Sequence, residues 1–116
     1  MMQVHITHEF AVRMPEGSRL PTEDLHQEGE RLMEALLDLE NCNEDVGDVA
    51  TSSDAARGAV VAELVVTAVD EAAAVEKATT VIRSAIHTIG GSTAGWDRPS
   101  EQGADYHPKA VQLERV

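Results

Sequence analysis

The sequence predicts an α+β domain in which two helices cover one face of an antiparallel sheet. Three observations lead there: an opening run that alternates apolar and polar residues, two stretches with apolar residues at helical spacing, and a valine-rich run between them. The chain has 116 residues, enough for one domain over 1–116. It is 42% hydrophobic and 26% charged, a balance that supports a folded core.

From Gln3 to Met14, Val4, Ile6, His8, Phe10 and Val12 fall in one phase, and His5, Thr7, Glu9, Ala11 and Arg13 in the other. That period of two is a strand with one buried face. PEGSRLPT is a turn region, after which Thr22 is a plausible N-cap with Glu23 and Asp24 in the first turn. The helix is expected to run to about Glu40, with Leu25, Gly29, Leu32, Met33, Leu36 and Leu39 as its apolar stripe. NCNEDVGD is an acidic loop, and a modest, polar strand is expected from about Asp48 to Ser53.

GAVVAELVVTAV, from Gly58 to Val69, is apolar in both phases apart from Glu63 and Thr67, so it belongs at the centre of the sheet. Asp70 caps a second helix that carries Val75, Ala78, Ile82, Ala85, Ile86 and Ile89 and stops at Gly90 and Gly91. A long ordered loop at about 91–109 is expected next, and AVQLERV, from Ala110 to Val116, alternates again as a closing strand.

The order strand, helix, strand, strand, helix, strand is the ferredoxin-like βαββαβ pattern. It predicts a four-stranded antiparallel sheet in the order 4-1-3-2 with two helices on one face. The other face then carries His5, Thr7, Glu9, Ala11, Arg13, Val61, Glu63, Val65, Thr67, Gln112 and Glu114. A one-residue slip would exchange the faces of the first strand, so this assignment depends on register.

A half-apolar open face of this kind points to an interface or a binding groove. The leading expectation is a small homodimeric interaction module that uses this face. The alternative is a small cofactor-independent enzyme, monooxygenase or isomerase in type, with a cavity between the sheet and its covers. The candidate pocket or interface residues are His5, Glu9, Glu63, Trp96, Tyr106 and His107. A small-molecule ligand is compatible with the same surface.

His5, Glu9 and Glu63 could converge, since a carboxylate beside an imidazole offers a general base. His5 and Glu9 are four residues apart on one strand, about 13 Å, so they are not a direct pair. His8 falls in the apolar phase and reads as a core histidine. His5 and His8 point to opposite faces and cannot share a metal. Trp96 and Tyr106 are expected in an ordered flap packed over an edge or a partner.

The sequence excludes several chemistries. HEF lacks the second histidine of a helical zinc motif, and the acidic loop has Val46 and Ser52 where a calcium loop needs glycine and glutamate, so no metal is expected. Phosphate-binding glycine motifs and nucleophile elbows are absent, and no cofactor is expected. A formal charge of −12 disfavours nucleic acid and anionic membrane surfaces. The single Cys42, with no apolar run of membrane-spanning length, predicts a cytoplasmic setting.

Overall fold

The computed structural model describes residues 1–95 and 103–116. Its elements are β1 (Met2–Arg13), α1 (Thr22–Cys42), β2 (Val46–Asp54), β3 (Ala59–Ala68), α2 (Glu71–Thr88), β4 (Ser92–Thr93) and β5 (Asp105–Arg115). They form an α+β fold whose single sheet has the order β2-β3-β1-β5-β4. The expected four-stranded antiparallel arrangement is corrected here. Among the described residues the sheet has five strands and is mixed, because the two-residue β4 pairs parallel with β5.

The core follows from alternation. Val4, Ile6, Phe10 and Val12 of β1 and Val60, Ala62, Leu64 and Val66 of β3 are fully buried on the side that the helices cover. Val4 lies opposite Val66, Ile6 opposite Leu64 and Phe10 opposite Val60, so facing pairs share that side. Leu25, Leu32 and Leu36 of α1 and Ala74, Ala78, Ile82, Ala85 and Ile86 of α2 close over them. The small residues of α2 let its backbone lie close on the sheet.

Helix starts differ from one another. The Asp70 side chain accepts the Ala73 N–H at 2.7 Å, which satisfies a first-turn donor of α2. For α1 the expected Thr22 cap is corrected: Thr22 is already helical, Pro21 takes the cap position, and no side-chain cap bond forms. The Pro21 carbonyl accepts from Leu25 N–H at 2.9 Å. Pro21 itself has no N–H to leave unsatisfied at the helix start.

The last part of the chain departs furthest from expectation. β5 begins at Asp105 instead of Ala110, so residues 92–93 and 105–109 of the predicted loop are β4 and the start of β5. Trp96 lies outside the described residues. The β1–β5 register places Phe10 opposite Pro108 and Glu9 opposite Ala110, which makes Lys109 the extra residue of a bulge. Tyr106 and Pro108 before the bulge, and Val111 and Leu113 after it, therefore all sit on the helix side. The inserted residue breaks the period of two, which hides the strand from pattern reading. Val111 and Leu113, although on the side that carries the helices, are each 43% exposed.

The open face of the sheet

The face opposite the helices is built by three strands in register. His5 lies between Val65 of β3 and Glu114 of β5, Thr7 between Glu63 and Gln112, Glu9 between Val61 and Ala110, and Ala11 between Ala59 and His107. Facing residues share a side, so all of these point away from α1 and α2. Most are half-buried by their neighbours, Ala11 and Ala59 are buried, and Ala110, Gln112 and Glu114 are exposed.

Three ion pairs organise this face. His5 Nε2 lies 3.2 Å from Glu63 Oε2, a diagonal contact between adjacent strands. Glu9 is held from the β2–β3 turn by Arg57, with Nη1 2.6 Å from Oε1 and Nη2 donating to Oε2 at 2.9 Å. That two-pronged geometry fixes a carboxylate better than a lysine would. At the far end His107 Nε2 is 3.0 Å from Asp105 Oδ2, and Ser92 Oγ donates to Asp105 Oδ1 at 3.0 Å.

The candidates thus separate. His5 meets Glu63 but not Glu9, which is committed to Arg57. His107 sits beside Ala11, six residues along β1 from His5, about 20 Å away. Each pair is partly solvated and contributes on the order of 0–1 kcal/mol to stability. Between His5 and the turn, Thr7, Glu9, Arg57, Val61, Ala110 and Gln112 line an open groove of about 290 Å³. Its mouth is wide and its carboxylate is already neutralised, so it favours contact with a surface over enclosure of a small reactant.

Tyr106 is not part of a flap. It is a fully buried strand residue on the helix side, packed edge-on to Phe10 with ring centres 5.7 Å apart. Its hydroxyl donates to Glu28 Oε1 at 3.0 Å. Burial, reinforced by the Glu28 charge, pushes the tyrosine pKa well above 10, so it stays a donor. Glu28 is itself buried, and Arg31 approaches its other oxygen at 3.6 Å while donating to the Ile89 carbonyl at 2.8 Å. This chain of groups ties α1 to β5 and to the end of α2. Glu28 and Arg31 were absent from the sequence reading. The available signal was a charged residue at position 28, on the stripe that joins Leu25 to Leu32.

His8 is the core histidine expected from its phase: 2% exposed, stacked on Phe10 at 5.5 Å, with Nε2 3.5 Å from Thr79 Oγ1. Burial lowers its pKa below 6.5 and keeps the ring neutral. Among the described residues no group of three or more His, Cys, Asp or Glu side chains is placed to hold a metal ion. No described helix is long and apolar enough to cross a membrane.

In the acidic loop, Asn43 caps the end of α1 by donating to the Leu39 carbonyl at 2.7 Å, and its own oxygen accepts from Lys77 at 2.8 Å. Those contacts give the loop a structural task. Comparison with protein-family models, with curated proteins and with solved structures returned no match.

Proposed function

We propose that the chain is a homodimeric interaction module, ferredoxin-like in plan, whose open sheet face is its working surface. The observation that carries this reading is a sheet face that no described helix covers. On it Val61 and Val65 are half-buried among the His5–Glu63 and Glu9–Arg57 pairs. Apolar residues fixed flush within a frame of paired polar groups can meet another protein surface at little desolvation cost.

The enzymatic alternative rests on the groove beside Thr7, Glu9 and Gln112. It ranks second because that groove is open and its carboxylate is tied to Arg57, whereas general-base chemistry asks for a free, sheltered base. A reducing, cytoplasmic setting belongs to the same proposal, because the Cys42 thiol is exposed at the end of α1.

Native mass spectrometry of the purified chain tests both readings. The interaction module predicts a species of two chains, about twice 12.5 kDa, without a retained small molecule. A single-chain mass carrying a stoichiometric small molecule would reverse the ranking.

A further inference from the structure

β4 pairs with β5 only at Asp105 and Tyr106. From His107 to Arg115 no described strand lies along the outer edge of β5. One hydrogen bond fixes which backbone groups that edge presents. Val116 N–H donates to the Gln3 carbonyl at 3.0 Å, and the β1–β5 register is unbroken from Val4 to Glu9. Alternation then aims the backbone groups of Gln112 and Glu114 at β1, and those of Val111, Leu113 and Arg115 outward.

The same residues carry the exposed apolar side chains. Val111 and Leu113 face the helix side, opposite His8 and Ile6, yet neither helix covers them. An edge with outward donors and acceptors and uncovered aliphatic side chains is a template for strand addition.

We propose that β5 is the junction between two copies of this chain, paired antiparallel about a two-fold axis through Leu113. The inference rests on the dimer proposed above but places its contact on the β5 edge, which leaves the open faces of both copies as the working surface. Charge selects a second copy as the occupant. The chain carries −12 overall, yet β5 balances Lys109 and Arg115 against Asp105 and Glu114, whereas β2, at the other end of the sheet, carries Asp48 and Asp54 and no cation. Two copies therefore meet along this strand with the least mutual repulsion.

Charge and geometry also select the register. Centring on Leu113 sets Leu113 against its own copy, Val111 across from Arg115 of the second copy, and Gln112 across from Glu114 of the second copy. Centring on Gln112 would set the bulged Lys109 against Arg115, whose guanidinium already binds Glu71 at 2.9 Å, so the ladder would have to run through the bulge. Centring on Val111 would bring Pro108 and the Lys109 bulge into the ladder, where proline has no N–H to give. Joined at Leu113, the two sheets become one, the helices of both copies lie on the same side, and the two open faces form one continuous surface.

The test compares the native mass of the unaltered chain with that of Leu113→Pro, Leu113→Lys and Val65→Lys. Leu113→Pro deletes an outward N–H that makes no bond to β1, and Leu113→Lys places a charge at the axis. Both are expected to weaken dimerisation by at least ~100-fold and to run as single chains with unchanged circular dichroism. Val65→Lys, on the open face, is expected to remain a dimer, because the β5 junction leaves that face free for a further partner; a single-chain mass for it would move the contact to the open face and overturn the β5 junction.

Dimeric Leu113 variants would overturn the β5 junction and leave the dimer itself standing. A single-chain mass for the unaltered protein would overturn both. Should Leu113→Pro fail to fold, hydrogen exchange on the unaltered chain decides. The Val111, Leu113 and Arg115 amides should exchange faster on dilution, and exchange independent of concentration would refute the junction.

Discussion

Replacing Tyr106 with phenylalanine deletes one hydroxyl in a fully buried position, where water cannot substitute for it. Its partner, Glu28, is 7% exposed and, among the described residues, would keep only the Arg31 contact at 3.6 Å. A hydrogen bond to a charged group contributes about 1.5–3 kcal/mol, and a buried carboxylate short of a donor stands at the upper end of that range. The expected loss is therefore ~2–3 kcal/mol, a large part of the ~5–15 kcal/mol of a typical domain. In melting temperature this corresponds to roughly 8–12 °C for a chain of this length.

Urea unfolding of Tyr106→Phe, Glu28→Gln and the double variant supplies the assay, and the cycle isolates the pair. A coupling of about 1–2 kcal/mol is expected, with the double variant less destabilised than the sum of the singles. A Tyr106→Phe loss below about 0.5 kcal/mol, or additive singles, would show that the bond does not tie α1 to β5 as argued.

Other outcomes follow from the same packing. Burial holds the His8 pKa below its unfolded value near 6.5, so His8 contributes stability that is present above about pH 6.5 and lost as pH falls through the folded value. Urea midpoints at about pH 7.5 and pH 5 should diverge less in His8→Leu than in the unaltered chain, and an equal divergence would count against a neutral buried ring. Tyr106 works in the opposite direction: its raised pKa predicts stability that is intact below about pH 10 and declines above it, a decline that Tyr106→Phe should lack.

Asp70→Ala removes the α2 cap and should cost about 1 kcal/mol, measurable as a lower urea midpoint. Gly103→Ala would drive a Cβ into the Gly90 carbonyl, a backbone contact that no rotamer relieves. A loss of about 1–3 kcal/mol is expected, and an unchanged melting curve would contradict this close approach.

The parts of the fold that were legible in the sequence are those where one physical signal dominates. β1 and β3 alternate without interruption against covered and open faces, and α2 has its Asp70 cap and the Gly90–Gly91 stop, so their positions could be read directly. β5 could not, because the Lys109 bulge shifts its phase and Pro108 resembles a turn residue, although on an edge the missing N–H is harmless. β4 is two residues long and owes its existence to Tyr106 and Asp105, far away in sequence.

Candidate-site residues divide in the same way. The common face of His5 and Glu63 followed from strand phase. The Glu9–Arg57 pair did not, because a turn residue's reach depends on tertiary geometry. Tyr106 was misplaced for the reason that hid its strand, and a polar hydroxyl on a core-facing residue needs a partner, Glu28, that only packing reveals.

Static light scattering of the purified chain over a dilution series bears most directly on the central claim that a second copy completes this sheet. The account predicts a mass near twice 12.5 kDa at high concentration, falling toward 12.5 kDa on dilution. A mass of 12.5 kDa at every concentration would contradict it.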